Sequence, residues 1–233
     1  MKAIILAAGV GNRLKGYFDE PKCLLKINGK TLIARYLGEL DRLGVKDAAI
    51  VVGYKKEKIM EEVSALNARP EVTFVENADY TKGSIMSLYA AKKEINDDII
   101  LMDADVYFEP EVLKRIVRSK HRDCLLIDRS SKNDGEAVMA GIIGGRVIAL
   151  ERGLKGDYDA LGEWVGFTRL SENTAKAFLG FITEKISCGV TDIGYEDCVS
   201  DLLKKTEIAC EYADGLKWTE IDFKEDVKRA EQF

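Results

Sequence analysis

Lys2-Ala-Ile-Ile-Leu6-Ala-Ala-Gly9-Val-Gly11-Asn-Arg13-Leu14 opens the chain. The apolar run from Lys2 to Ala7 reads as a buried strand, and it breaks directly into a loop of small residues. Small side chains let backbone N–H groups crowd close to a ligand, and an open α/β sheet binds ligands at the carboxyl edge of its strands. Outward from this stretch the pattern repeats. Leu32, Tyr36, Leu40 and Leu43 share one helical face and predict a helix over Thr31–Leu43, and Asp47–Val52 reads as the second strand. A helix over Lys55–Leu66, a strand over Val72–Val75, a helix over Ser84–Ile95, a strand over Asp98–Met102 and a helix over Pro110–Val117 follow. Such alternation predicts a doubly wound, mostly parallel α/β sheet.

After Cys124 the pattern changes to three strand-like pieces, Glu136–Ile143, Arg146–Arg152 and Gly162–Arg169, with Gly144-Gly145 as a hairpin turn. Helices over Glu172–Thr183 and Tyr195–Lys204, strands near Ile208–Tyr212 and Trp218–Ile221, and a last helix complete the chain. No Ser/Gly/Pro-rich linker divides it, so one domain with a β insertion is expected over residues 1–233.

The 233 residues carry 35 basic and 40 acidic side chains, a net charge of −5, and 46% are hydrophobic, which supports a packed core and excludes general disorder. The longest uncharged apolar stretch, Ala3–Val10, falls far short of the ~20 residues of a membrane span. Only Lys2 precedes it, so no secretory signal is indicated and a cytoplasmic protein is expected. Five cysteines, never spaced C-x-x-C, suggest neither a disulfide framework nor a zinc knuckle. The acidic balance argues against nucleic acid. Residues 1–30, however, hold six basic side chains against two acidic ones, and an anion is expected near them.

Two phosphate loops fail here. A dinucleotide fingerprint wants a third glycine where Leu14 stands and an acid after the second strand, which instead runs into Val52-Gly53. A Walker loop wants Gly-Lys-Ser/Thr, which is absent. Alone, the glycines are equally a tight turn; Arg13 and Pro21-Lys22 make the set more specific. Asp103-Ala-Asp105 closes a strand at the same sheet edge, with both carboxylates on one face, as a hard Mg²⁺ with retained waters would use. Trp218-Thr-Glu-Ile-Asp222 also ends a strand in a carboxylate. Turn formation by Asp103 and Asp105, and capping of the last helix by Asp222, are the alternatives. Gly83 and Ser84 start a helix and offer donors to a base or ribose, or simply an N-cap. The only histidine, His121, lies in a polar run, which makes His-dependent nucleophilic catalysis improbable.

Together these residues resemble the sugar-phosphate nucleotidyltransferase-like family, which joins an NTP to a phosphorylated small molecule and opens L-[AG]-[AG]-G-x-G-x-R-[LM], then P-K. The resemblance implies a Rossmann-like nucleotidyltransferase fold, with residues 1–120 the NTP-binding half and 121–233 the acceptor-binding half. It implies that Leu6, Ala7, Ala8, Gly9 and Gly11 wrap the nucleotide, that Arg13 grips the β- and γ-phosphates, and that Lys22 neutralises the α-phosphoryl group. It maps Mg²⁺ onto Asp105 and Asp222, Asp103 onto the nucleotide site, Gly83 and Ser84 onto the base, and Lys155 onto the acceptor phosphate. Asn12 stands where Thr or Ser is common. No hexapeptide-repeat extension follows Phe233, so the bifunctional acetyltransferase type is not expected.

Acids and aromatics without a basic side chain fill Gly156–Thr168 and Ile186–Leu203, which suits an ammonium headgroup or else a solvated acidic surface. Asp157, Glu163, Trp164, Tyr195, Glu196 and Asp197 are the candidates. With Gly162-Glu-Trp-Val-Gly166 and Trp-Thr-Glu-Ile-Asp222, the chain looks most similar to small CTP-dependent cytidylyltransferases for phosphocholine, 2-aminoethylphosphonate or inositol 1-phosphate. The expected partners are CTP and a phosphorylated small molecule, with no nucleic acid and no membrane; a homodimer stays open. Lys22→Ala should then depress turnover with little change in melting temperature. The rivals are a sugar-1-phosphate nucleotidylyltransferase using UTP or dTTP, and a silent nucleotide-binding module.

Overall fold

The computed structural model describes residues 1–66, 70–131 and 135–233. Its elements run β1 (Lys2–Leu6), β2 (Lys26–Ile27), β3 (Lys30–Thr31), α1 (Leu32–Leu43), β4 (Asp47–Val52), α2 (Lys56–Ala65), β5 (Glu71–Glu76), α3 (Ser84–Ala90), β6 (Ile99–Asp103), β7 (Val106–Phe108) and α4 (Pro110–Val117). Then come β8 (Cys124–Asp128), β9 (Val138–Ile143), β10 (Arg146–Arg152), β11 (Ala160–Leu170), α5 (Glu172–Ser187), α6 (Val199–Leu203), β12 (Ile208–Tyr212), β13 (Trp218–Glu220) and α7 (Lys224–Ala230).

Nine strands form one sheet in the order β5-β4-β1-β6-β11-β8-β12-β10-β9. β1 lies between β4 and β6, parallel to both, and covering both faces requires a continuous apolar run. Ala3 and Ile5 enter one hydrophobic cluster with α1 and α4, and Ile4 enters the other with α3, α5 and α6. α1 shows why local sequence suffices for such a helix: Thr31 Oγ1 accepts the Ala34 N–H (3.2 Å) at its start, and Gly44 at φ 81° ends it.

The doubly wound, parallel arrangement belongs to the N-terminal strands, and beyond β6 the sheet turns mixed. β11 runs antiparallel to β6 and β8, β12 is parallel to β8, and β10 is antiparallel to β12 and β9. The first residues of β11 also pair with β9, which curls this half of the sheet onto itself. The Gly144-Gly145 hairpin has φ of 58° and 76°, the conformation that a tight β-hairpin demands. Four strands were not legible, and β2 and β3 are only two residues each. β8 carries no turn signal of its own after the polar run at Arg118–Asp123, and β7 is three residues long. The helix expected over Ser84–Ile95 tightens to a 3-10 turn after Ala90, and the one expected over Tyr195–Lys204 begins with a 3-10 turn before α6.

Candidate active site

The glycine loop is tied to its neighbours as it leaves β1: Ala7 N–H donates to Val51 O (2.9 Å), and Ala8 O accepts the Tyr54 N–H (3.0 Å). Gly11, at φ 69°, heads a 3-10 turn over Asn12–Leu14. A Cβ there would crowd Lys22 Cγ at 3.0 Å, and the positive φ is one that L side chains rarely adopt, so glycine suits the passage of the loop over the lysine stem.

Opposite the loop, Tyr36 on α1 fastens the turn after β6. Its hydroxyl donates to Asp103 O (2.6 Å) and accepts the Val106 N–H (3.1 Å), while its ring packs edge-on against Phe108 and Phe167. β7 then pairs antiparallel with β13, Glu220 opposite Val106, and Ile221 N–H donates to Asp105 O (2.9 Å). That ribbon joins two carboxylates from distant parts of the sequence. Oxygens of Asp105, Glu220 and Asp222 lie within 4.8 Å of one another, a hard-oxygen donor set that fits Mg²⁺. Asp222 does not cap α7; Asp226 Oδ2 takes the Asp222 and Phe223 N–H groups instead (3.0 and 2.7 Å).

Lys22 Nζ lies between these carboxylates, 2.8 Å from Asp105 Oδ2 and 2.5 Å from Asp222 Oδ1, and Arg13 pairs with Asp222. Burial works to lower the Lys22 pKa, but the charges of Asp105 and Asp222 outweigh it and hold the ammonium above its ordinary value. For Asp222, burial works upward, and Lys22 and Arg13 hold the carboxyl below the usual range. Among the described residues Glu220 makes no ion pair, although Lys22 and Arg152 act on it from a distance. Desolvation in the cleft, then the charges of Asp105 and Asp222, push it up to about 8.

The cleft, about 300 Å³, opens where β9 and β6, which pair with successive stretches of one edge of β11 opposite β8, part from each other. A bulge between Trp164 and Thr168 bends β11 there, with Gly166 at φ 84°; a Cβ at Gly166 would stand 3.0 Å from Asp103 Oδ2. Asp103 is held by the Tyr195 hydroxyl, which donates to Oδ2 (2.9 Å). Burial first, then the Asp105 charge, raises the Asp103 carboxyl well above its ordinary pKa.

Of the residues singled out in the sequence, Leu6, Ala7, Ala8, Gly9, Gly11, Lys22, Ser84, Asp103, Asp105, Glu163, Trp164, Tyr195 and Glu196 line this cleft. Arg13 and Asp222 reach it through their pairing with each other and with Lys22. Others do not. Gly83 has its N–H bound to Thr191 O (3.0 Å), and a Cβ would stand 2.0 Å from Ile193 O. The glycine is therefore needed where the 191–195 segment crosses the start of α3. Ser84 Oγ accepts the Tyr195 N–H (3.0 Å) from the same segment. Lys155 and Asp157 are exposed and outside the lining, and Asp197 Oδ2 accepts the Gly194 N–H (3.1 Å) beyond it. Tyr195 is 2% exposed, its ring edge-on to Trp164, so it offers no open aromatic face.

Sequence reasoning missed Glu220, Arg152 and Lys82, all in the lining. Glu220 precedes Asp222 by two residues, a strand spacing that puts both on one face. Arg152 closes β10 three residues before Lys155 and lies 3.5 Å from Glu196 Oε1. It supplies the base that Gly156–Thr168 and Ile186–Leu203 lack.

The glycine loop, paired cations and clustered carboxylates at the carboxyl edge of a parallel half-sheet give the Rossmann-like α/β architecture of nucleotidyltransferases. Residues 3–170 match the MobA-like NTP transferase domain, and the chain belongs to that family. It is 31% identical to the bifunctional IPC transferase and DIPP synthase of Aquifex aeolicus, over 99% of this chain and 51% of the relative. The chain spans about half the length of this and similar bifunctional relatives. It is 28% identical to the choline-phosphate cytidylyltransferase of Streptococcus pneumoniae, over 100% of this chain and 97% of that one. The solved structure of CTP:phosphocholine cytidylyltransferase from Streptococcus pneumoniae superposes with a TM-score of 0.79 at 26% identity, covering 99% of this chain and 97% of that one. Among the described residues, no helix is long and apolar enough to cross a membrane.

Proposed function

We propose that this chain is a Mg²⁺-dependent cytidylyltransferase, transferring CMP from CTP to a small phosphomonoester or phosphonate such as phosphocholine, 2-aminoethylphosphonate or inositol 1-phosphate, with release of pyrophosphate. The observation that carries the reading is the meeting of Arg13, Lys22, Asp105 and Asp222 at one point beside the glycine loop. Asp105 and Asp222, with Glu220 beside them, would hold Mg²⁺, which when bound supplies Lewis-acid stabilisation of negative phosphoryl oxygens. Lys22 neutralises the α-phosphoryl group, and Arg13 holds the departing pyrophosphate. Loop amides over Ala8–Gly11 position the triphosphate. No general base is required, because a phosphomonoester with a second pKa of ~6 is already dianionic at neutral pH.

At the acceptor end Arg152 takes the phosphate role in place of Lys155, and Glu163 and Glu196 face an ammonium headgroup beside the edge of Trp164. The need for CTP and the five unbridged cysteines suit a cytoplasmic setting.

The test is pyrophosphate release from the common NTPs crossed with phosphocholine, 2-aminoethylphosphonate, inositol 1-phosphate and glucose 1-phosphate. Turnover with CTP and one of the first three is expected. Preference for UTP or dTTP with glucose 1-phosphate would replace the reading by the sugar nucleotide one. Nucleotide binding without pyrophosphate from any pair would leave a binding module.

A further inference from the structure

The turn between β4 and α2 holds a backbone conformation that its sequence does not favour. Lys55 sits at φ 46°, ψ 42°, in the left-handed region where glycine or asparagine is far less strained. Among the described residues the other non-glycine position of this kind is Asn28, an asparagine in the hairpin between β2 and β3. A lysine kept at a strained position points to work done by its side chain.

That work is visible. Lys55 Nζ donates to Asp19 O (2.5 Å) and lies 3.2 Å from Glu20 Oε1, which Lys58 reaches at 2.7 Å. One residue earlier, Tyr54 donates its N–H to Ala8 O (3.0 Å) and its hydroxyl to Asp19 O (3.3 Å). Gly53 packs so closely that a Cβ would stand 2.9 Å from Ala8 O. One turn thus grips the glycine loop at both ends, Ala8 where it leaves β1 and Asp19–Glu20 where it returns. Pro21, which is buried, and Lys22 follow at once. Lys55 itself is absent from the cleft lining.

We propose that Lys55 is a positioning residue: by clasping Asp19 and Glu20 to the β4–α2 turn, it fixes the return of the glycine loop and aims Lys22 into the cleft. The proposal rests on the role given to Lys22 above. A stability role alone does not account for the lysine, because exposed ion pairs contribute little and Lys55 and Glu20 are each 33% exposed.

Lys55→Gly removes the clasp and relaxes the strain together, so its Tm should stay within about 3 °C of wild type. Hydrogen exchange of the amides over residues 9–20 should quicken by about tenfold or more, with β4 and α2 unchanged. Pyrophosphate release should fall about ten- to a hundredfold in kcat, with acceptor KM within about twofold. Lys55→Arg should restore both, and Glu20→Gln should reproduce part of the loss. Wild-type exchange in the loop, or a fall in kcat matched by loss of folded protein, overturns the proposal. If wild type releases no pyrophosphate with any substrate pair, the transferase reading fails on its own, and the exchange measurement still decides whether Lys55 holds the loop.

Discussion

Replacing Lys22 by methionine keeps the stem that packs under Gly11 and removes only the ammonium from between Asp105 and Asp222. The two ion pairs this breaks span 2.8 and 2.5 Å, between side chains 15–24% exposed. Deleting one partner of a buried ion pair costs about 3–5 kcal/mol. Partial exposure, and the Arg13 pairing that remains on Asp222, reduce this to about 2–3 kcal/mol, or a fall in Tm of about 4–12 °C for a chain of this size. This reverses the neutral melting temperature expected from sequence, where Lys22 had no visible partner. Asp222 titrates below its ordinary value in the folded state, so its contribution is present above about pH 4 and is lost as pH falls through the folded pKa. Lys22 titrates above its ordinary value, so its contribution persists below about pH 10 and is lost as pH rises through the folded pKa. The deficit of Lys22→Met should therefore be full at pH 7 and shrink below about pH 4. Thermal melts in EDTA at pH 7 and pH 3.5 read this directly, and Asp222→Asn in the Lys22→Met background should recover part of the deficit. Equal melting temperatures for wild type and Lys22→Met at pH 7 would refute the paired arrangement.

The same cluster predicts that Mg²⁺ without nucleotide raises the Tm of Lys22→Met more than that of wild type, because the ammonium no longer competes for the carboxylates; equal shifts would oppose this. Glu220, raised to about 8, binds more protons folded than unfolded, so stability should fall as pH rises from about 4.5 to about 8 in the absence of metal. The Tm advantage of Glu220→Gln over wild type should widen across that window, and a constant difference would refute the shift. Gly83→Ala should destabilise by about 2 kcal/mol or more, because its Cβ meets Ile193 O. Gly38→Ala, in the exposed middle of α1 with open space around it, should stabilise by about 0.5–1 kcal/mol. Denaturant midpoints of the two variants test both signs.

Several features were legible because their causes are local. The strand over Asp47–Val52 and the helix over Pro110–Val117 have the bounds that hydrophobic period and a first-turn proline indicate. Gly11, Arg13 and Pro21-Lys22 lie close together along the chain, and their loop could be recognised from turn chemistry and charge alone. Gly83 departs from its expected role for the opposite reason. Its helix start looks open in sequence because nothing near it reveals the 191–195 segment that crosses it.

Sequence by itself thus determined the parallel half-sheet, the glycine loop at its edge and the cations beside it, since periodicity, φ preference and net charge act over a few residues. Tertiary structure alone decided that β7 and β13 pair, which brings Glu220 and Asp222 to Asp105, that Arg152 and not Lys155 turns into the cleft, and that Lys22 is already held by two carboxylates. Each of these is a contact between residues far apart in the chain, where register and a β11 bulge set the distance and no local propensity records the partner.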